Sequence, residues 1–206
     1  MKAKNFSEHA LLQTKIAVLR DKKTPSPLFA KTLNEISVIL CALIGAEIDT
    51  VKTTVITPLM RTGALKQKRP VVFVPILRAG LGMLDGFLSL MPGAAVGHVG
   101  VERDHATLKP RFYYYKTPPL KGADVWVLDP MLATGGSLDF ALAKLKAHMP
   151  HALRAVSVIA SPEGIAHVEK EHPDVKLYTA VVDNKLNAKG YIMPGLGDAG
   201  DRYFNT

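Results

Sequence analysis

Residues 125–137 read VWVLDPMLATGGS, a stretch that joins an apolar run to a glycine-rich turn, with one carboxylate between them. The apolar run ends at Leu128 and predicts a strand that is covered on both faces. Asp129 then falls at the carboxyl end of that strand, where open α/β sheets bind their ligands. Gly135 and Gly136 allow successive backbone N–H groups to converge on an anion at the start of a helix. The stretch therefore predicts a strand, an anion-binding turn and a helix, in that order.

The residues after the turn support the helix independently. Apolar side chains recur there every three or four residues and would form one face of the helix: Leu138, Ala141, Leu142, Leu145 and Met149. No Lys follows the glycines and no GxGxxG is present, so the nucleoside-triphosphate and dinucleotide motifs are both missing. A five-carbon sugar phosphate fits, because the loop N–H groups, Thr134 and Ser137 would take the phosphate while Asp129 accepts from the ribose hydroxyls. An ordinary strand–turn–helix corner is the alternative.

The segment DPMLATGGS resembles the phosphoribosyl-pyrophosphate signature of type I phosphoribosyltransferases. It is most similar to the uracil phosphoribosyltransferase branch, in which a residue such as Pro130 replaces the second acid. Two further segments carry the same resemblance: PILRAGLGM, residues 75–83, and GYIMPGLGDAGDR, residues 190–202. The likeness runs from about residue 71 to residue 206 and weakens at ALIGAE, residues 42–47, and at His105 and Ala106.

The resemblance implies transfer of the 5-phosphoribosyl group from 5-phosphoribosyl 1-diphosphate (PRPP) to uracil, which gives UMP and diphosphate. The residues implied for PRPP are Arg78, Arg103, Asp129, Pro130, Met131, Leu132, Ala133, Thr134, Gly135, Gly136, Ser137 and Asp198. Those implied for uracil are Ile192, Gly197, Asp198 and Ala199. Arg78, Arg103, Asp129 and Asp198 are expected to take part in the reaction. Mg2+ is expected to be held through the diphosphate of the substrate and not by a protein metal site.

Composition narrows the class of protein without identifying it. A chain of 206 residues with 48% hydrophobic content predicts a single folded domain. The lone Cys41 and the polar N-terminus favour a reducing cytoplasm. The longest apolar stretch, residues 36–46, is shorter than the roughly 20 residues needed to cross a bilayer, so no membrane span is expected. The net charge of +8 is carried by scattered residues, which favours a solvated surface over a nucleic-acid face. A regulator that binds RNA remains the alternative from another class.

Alternating strand and helix patterns predict an α/β fold with a mostly parallel, twisted sheet flanked by helices. The expected single domain, residues 1–206, has N-terminal helices at about 8–48, a core at about 71–182 and a base-binding hood at about 184–206. Ser26 before Pro27 predicts the N-cap of the longer N-terminal helix. A protruding hairpin is expected within residues 103–120. The resemblance also implies a homodimer or higher homo-oligomer, and leaves activation by a nucleotide such as GTP open.

Overall fold

The computed structural model of the chain describes residues 3–103 and 110–206, with only the backbone described at Arg103 and Pro110. Its elements in chain order are β1 (Lys4–Asn5), α1 (Ala10–Arg20), α2 (Ser26–Gly45), β2 (Thr50–Ile56), β3 (Arg61–Gln67), β4 (Val71–Leu77), α3 (Leu81–Leu90), β5 (Ala95–Val96), β6 (His98–Arg103), β7 (Pro110–Lys116), β8 (Asp124–Leu128), β9 (Met131–Leu132), α4 (Gly136–Lys146), β10 (Ala152–Ala160), α5 (Pro162–Glu171), β11 (Lys176–Val182), β12 (Lys185–Leu186), β13 (Ile192–Met193) and α6 (Ala199–Phe204).

Within the described residues the main sheet has nine strands, in the order β1-β11-β10-β8-β4-β6-β7, with β5 beside β4 and β9 beside β10. All the pairings are parallel except that of β6 with β7. The predicted mostly parallel α/β sheet is therefore confirmed. Residues 95–103 form two strands, β5 and β6, with Gly97 between them. The turn of the hairpin formed by β6 and β7, with His105 and Ala106, lies outside the described residues.

Two hydrophobic clusters cover the sheet, one on each face. Because successive side chains of a strand point to opposite faces, Phe73 and Trp126 pack with α1, α2 and α3, whereas Val74 and Val127 pack with α4 and α5. The ring centroids of Phe73 and Trp126 lie 5.7 Å apart in an edge-to-face contact. The apolar run read from the sequence is thus buried on both faces, as predicted.

Helix α2 differs from the sequence prediction at its start. Its N-cap is Pro25, so Ser26 is already the first helical residue. The predicted Ser26 cap is wrong because the Ser26 hydroxyl donates instead to the carbonyl of Tyr203 at 2.9 Å, which joins the start of α2 to α6.

Helix α2 is also the one helix in the described residues that is long and apolar enough to cross a membrane, with a mean hydropathy of 1.6. The sequence reading counted only residues 36–46 of it as apolar. The helices of a protein core pass the same test of length and composition. Eight α2 side chains are buried, and the large apolar ones among them pack into the cluster around Phe73 and Trp126.

The hairpin of β2 and β3 was not predicted from the sequence. Its two strands pair antiparallel over their whole length as a separate two-stranded sheet. Several large apolar side chains of the hairpin are exposed: Val55, Ile56, Leu59, Met60 and Leu65. Neither strand shows the strict alternation that marks a half-buried strand, because most of both faces is exposed.

A buried ionic network joins the amino ends of the central strands. Arg154 donates from Nε and Nη2 to the carboxylate of Asp124 at 3.0 to 3.1 Å, and from Nη1 to the hydroxyl of Tyr178 at 3.0 Å. Tyr178 in turn donates to Glu47 at 2.7 Å. Hydrogen bonding from Lys4, against the effect of burial, lowers the pKa of Glu47 to about 2. Residue 47 belongs to the segment where the family resemblance is weak, and it serves here to complete the network.

We expect Asp124→Asn to lower the free energy of unfolding by about 3 kcal/mol, because it leaves the buried Arg154 guanidinium without its anionic partner. Urea unfolding at neutral pH measures the change. Lys170→Met is the control: Lys170 is 81% exposed and pairs only with Glu171 next to it, so its loss should change the free energy by less than about 0.5 kcal/mol. An equal response of the two variants would contradict a stabilising role for the network.

Candidate active site

The carboxyl ends of neighbouring parallel strands bring the first candidate residues together. Strands β4 and β8 pair in parallel with Pro75 opposite Leu128, so Arg78 and Asp129 follow the two strands at the same edge of the sheet. Gly80 allows the loop after β4 to lie against the end of β8, since a Cβ at Gly80 would be 2.4 Å from the carbonyl oxygen of Leu128. The sheet edge thus holds the Arg78 segment close to Asp129.

Asp129 is partly buried beside the glycine-rich turn. Its carboxylate accepts a hydrogen bond from the N–H of Met131 at 3.3 Å. Burial raises the pKa of Asp129 to about 7; the Met131 N–H acts against this rise, and the charge of Asp198 adds to it. Asp129 and Asp198 therefore influence each other across the site, although they lie 69 positions apart in the sequence.

The phosphate loop, residues 133–137, surrounds a small cavity of about 70 Å³ that Asp129 also lines. Gly135 is the N-cap of α4 and has φ = +84°, a conformation that side chains other than glycine rarely adopt. Having no side chain, it caps none of the N–H groups of the first turn. Those groups lie at the positive end of the helix dipole, where anions bind. The predicted anion-binding turn therefore has the expected geometry.

The start of α5 supports the phosphate loop from behind. Ser161 is the N-cap of α5 and accepts from the N–H of Gly164 at 2.9 Å. Its hydroxyl also donates to the carbonyl of Ala133 at 2.6 Å. A Cβ at Gly164 would lie 2.2 Å from that same carbonyl oxygen, so only glycine lets the two segments approach this closely. The segment SPEGI, residues 161–165, thus fixes one end of the loop.

A second cavity of about 320 Å³ adjoins the first and shares Met131 and Ala133 with it. The four residues that the sequence assigned to uracil all line it: Ile192, Gly197, Asp198 and Ala199. It is also lined by residues not assigned beforehand: Ala79, Lys189, Gly190, Tyr191 and Gly200. Most of these belong to the segments 75–83 and 190–202 that carried the resemblance. Their position next to the assigned residues in those segments is the feature of the sequence that could have identified them.

The hood is attached to the rest of the protein by an ion pair that sequence reasoning missed. Arg20, at the end of α1, donates to both carboxylate oxygens of Asp183 at 2.8 and 2.5 Å, and to the carbonyl of Gly195 at 2.8 Å. Asp183, which is 5% exposed, also accepts from the N–H of Gly195 at 2.8 Å. Since Gly195 stands two residues before Gly197, the Arg20–Asp183 pair fixes the backbone segment that forms one wall of the larger cavity.

Asp198 has a structural role in addition to its place in the cavity. It is the N-cap of α6 and accepts from the N–H of Asp201 at 2.9 Å. Asp201 in turn accepts from Arg78 at 3.3 Å, and the Arg78 guanidinium lies 5.7 Å from the ring centroid of Phe204. The Arg78 side chain is thus directed at α6 and is 57% exposed. It stands at the rim of the site.

Three predicted PRPP residues are not placed in either cavity: Arg78, which stands at the rim, Pro130 and Arg103. Pro130 is buried and lines neither of them; its carbonyl accepts from the N–H groups of Val158 and Ile159 at 3.1 and 3.0 Å. Arg103 ends β6 opposite Pro110, and its side chain lies outside the described residues. The other predicted residues of the stretch, from Met131 to Ser137, all line the small cavity.

In the described parts of the chain, no three His, Cys, Asp or Glu side chains come together as a metal site. The oxygen donors near the cavities, Asp129 and Asp198, are nevertheless of the type that Mg2+ prefers. Because the charge of Asp198 raises the pKa of Asp129, a cation near both carboxylates would relieve their repulsion. The donor set therefore fits a Mg2+ ion that arrives with an anionic substrate.

The chain is similar to known proteins over nearly its whole length. The family described as uracil phosphoribosyltransferase matches residues 6–206. A uracil phosphoribosyltransferase of Finegoldia magna is 47% identical over 201 residues, which are 97% of this chain and 96% of the relative. One of Clostridioides difficile is 47% identical over 202 residues, which are 97% of each chain.

Solved structures agree at the level of the fold. A protein of Aquifex aeolicus superposes with a TM-score of 0.91 at 40% identity, covering 95% of both chains. A hypoxanthine-guanine phosphoribosyltransferase of Bacillus anthracis has a TM-score of 0.53 at 13% identity, covering 77% of this chain and 80% of its own, which shows a shared fold alone. With the match to the family over residues 6–206, the chain belongs to the uracil phosphoribosyltransferase family.

Proposed function

We propose that this protein transfers the 5-phosphoribosyl group of PRPP to uracil, with release of diphosphate and formation of UMP. The observation that carries the proposal is the pair of adjoining cavities that share Met131 and Ala133. One has the N–H groups of a helix start, suited to a phosphate, and the other is walled by backbone that can read a flat base. A nucleoside monophosphate has these two parts on either side of its ribose, and the shared wall is where the ribose would lie.

In this arrangement the phosphate loop holds the 5-phosphate. The N–H groups of the first turn of α4, with the hydroxyls of Thr134 and Ser137, donate to its oxygens. Asp129, at the edge of the same cavity, accepts from the ribose hydroxyls. Fixing both ends of the sugar orients its anomeric carbon toward the larger cavity, where the acceptor nitrogen is held. Orientation of this kind can supply several kcal/mol of the barrier reduction.

The transition state of the transfer places positive charge on the ribose and additional negative charge on the leaving diphosphate. The carboxylates of Asp129 and Asp198 would stabilise the positive charge on the ribose. The guanidinium groups of Arg78 and Arg103 would stabilise the negative charge on the diphosphate. Arg78 would have to leave Asp201 to contact the diphosphate, and a 3.3 Å ion pair with both side chains more than half exposed opposes this only weakly. Asp129 and Asp198 would be available as oxygen donors to Mg2+ bound with the diphosphate, and the ion would supply further charge neutralisation of the leaving group.

The hood selects the base through main-chain polarity. Ile192, Gly197 and Ala199 line the larger cavity. Their backbone N–H and C=O groups would meet the edge of the base there. Uracil has a donor at ring position three and an acceptor at position four, whereas cytosine reverses both. A reversed pair would leave buried groups without partners at about 1–3 kcal/mol each, which is enough for strong discrimination.

The homo-oligomer expected from the sequence also stays a proposal, and the β2–β3 hairpin supports it. Five large apolar side chains exposed on one hairpin, Leu59 at 94% and Ile56 at 79% among them, form a surface of the kind that a second copy covers. Activation by a nucleotide such as GTP stays open, and the cytoplasmic location remains a prediction.

The acceptor base tests the proposal most directly. With PRPP and Mg2+, the protein should convert uracil to UMP and leave cytosine, orotate and hypoxanthine unconverted. Cytosine reverses the donor and acceptor order, orotate adds a 6-carboxylate beside the reacting nitrogen, and hypoxanthine has a second ring. Separation of the products by chromatography measures this. A monophosphate of any other base in comparable yield would contradict the assignment of the larger cavity.

The raised pKa of Asp129 leads us to expect a pH-dependent kcat/KM for PRPP. Below its pKa of about 7 the carboxyl is protonated and can no longer accept from both ribose hydroxyls, so kcat/KM for PRPP should fall by about tenfold per pH unit on the acid side. Asp129→Asn should remove that limb and lower kcat by about a hundredfold at pH 8, with the melting temperature unchanged. Asp49→Asn, at a surface carboxylate paired with Arg69 and His151, is the control and should keep the wild-type profile. An Asp129→Asn profile with the same acid limb would assign the titration to another group.

Loss of the Arg20–Asp183 pair, which anchors the hood, should impair base binding selectively. Arg20→Gln leaves the buried Asp183 carboxylate without its guanidinium, so the backbone at Gly195 should lose its fixed position and KM for uracil should rise by about tenfold. KM for PRPP should rise much less than KM for uracil, because α5 holds the phosphate loop and the hood contributes only Asp198 to the predicted PRPP site. Lys22→Gln, two residues away and exposed, is the matched control. Equal changes in both KM values would argue against a separate role of the hood.

A further inference from the structure

Two histidines share one carboxylate behind the phosphate loop. Asp139, in the first turns of α4, accepts from Nε2 of His172 at 2.8 Å with one oxygen and from Nε2 of His167 at 3.1 Å with the other. A carboxylate can only accept, so each ring donates from its Nε2. His172 is 5% exposed, and its Nδ1 is buried with no hydrogen-bond partner among the described residues. The cluster therefore crosses the gap between α4 and α5 with Asp139 at its centre.

The cluster is in direct contact with Gly135, the residue on which the shape of the loop depends. The N–H of Asp139 donates to the carbonyl of Gly135 at 2.8 Å. On the other side, a Cβ at Gly135 would lie only 2.9 Å from Cδ2 of His167. The backbone of Gly135, at φ = +84°, is thus held between Asp139 and the His167 ring.

The carboxylate presents an electrostatic problem if the loop holds a phosphate. Asp139 directly follows the residues that line the small cavity, which end at Leu138. A negative charge there would oppose a second anion at the same helix start, since both use the positive potential of the first turn. The two imidazole donors offset this, because they draw the carboxylate toward α5 and spread its charge. Although burial opposes it, the hydrogen bonds from His172 and His167 lower the pKa of Asp139, so it remains an anion that needs these donors.

We infer that His167 is a positioning residue for the 5-phosphate: through its hydrogen bond to Asp139 and its contact with Gly135, it keeps the phosphate loop in shape and turns a carboxylate away from the anion. His172 holds the second oxygen of the same carboxylate. The inference rests on the proposed function, since it takes the ligand of this loop to be the 5-phosphate of PRPP. The role is one of ground-state binding, because the 5-phosphate keeps its charge throughout the transfer.

Two substitutions at His167 distinguish the effect of its hydrogen-bond donor from the effect of its size. His167→Leu keeps a ring-sized apolar group against Gly135 and removes the hydrogen bond, whereas His167→Gln keeps an N–H donor near the position of Nε2. We expect His167→Leu to raise KM for PRPP, and the dissociation constant of ribose 5-phosphate, by about three- to tenfold. Both kcat and KM for uracil should stay within about twofold, as should the affinity for diphosphate, which has no 5-phosphate. His167→Gln should recover most of the loss.

A double variant tests the electrostatic part and does not depend on the stability of His167→Leu alone. In Asp139→Asn/His167→Leu the uncompensated charge is gone, so ribose 5-phosphate should bind more tightly than to His167→Leu. His151→Leu is the matched control: His151 pairs with Asp49 at 3.4 Å, has a 41% exposed side chain against 38% for His167, and lies at the opposite edge of the sheet. It should bind ribose 5-phosphate as the wild-type protein does.

The inference is overturned if His167→Leu leaves the affinity for ribose 5-phosphate unchanged, or if His167→Gln is as impaired as His167→Leu. It is also overturned if kcat and both KM values worsen together with the melting temperature, which is what a merely structural role predicts. A wild-type protein that binds ribose 5-phosphate but transfers nothing to uracil would instead contradict the proposed function, and the binding measurements on the variants would still decide the role of His167.

Discussion

The parallel register of β4, β8 and β10 is the constraint from which the candidate site follows. Parallel strands end at a common edge, so residues that follow them meet even though they are far apart in sequence. Here that edge collects Arg78 after β4, Asp129 after β8 and Ser161 after β10. The three differ in what they contribute, since Arg78 is a cation at the rim, Asp129 is an acceptor beside the small cavity and Ser161 is a cap that supports the loop. No one of these residues would be informative without the pairing that assembles them.

The site is closed by a second, independent set of contacts. The phosphate loop and Asp129 belong to the sheet and to α4, whereas the larger cavity is completed by residues 189–200, which follow the last long strand. The two sets meet at Met131 and Ala133. Under the proposed function this division of the structure matches a division of the ligand, with the sugar phosphate held by the sheet and α4 and the base by residues 189–200. Specificity for the base would then vary without change to the phosphate loop.

Much of the fold around the candidate site could be predicted from the sequence, because the patterns that specify it involve residues close together in the chain. The buried run before Asp129 and the helix periodicity from Leu138 to Leu145 are short-range signals, and both have the predicted structure. Met149, predicted on the same helix face, instead lies beyond the end of α4 and is 64% exposed. Other features depend on contacts that short-range signals do not carry. Ser26 has the residue type of an N-cap, but its hydroxyl is taken by Tyr203, and the β2–β3 hairpin has no buried face to impose a pattern. The Arg20–Asp183 pair and the Asp139 cluster likewise join residues that no spacing relates.

The attachment of the hood has a consequence for cooperativity. Its anchoring hydrogen bonds join residues 163 and 175 positions apart, and its side chains Ile192 and Leu196 are buried in the main apolar cluster. Residues so far apart in the sequence come together late in folding. Because the hood shares that cluster, it should melt together with the sheet and not before it. Concentrated salt alone would leave it in place, since the partly buried Arg20–Asp183 pair is screened much less than exposed charges are.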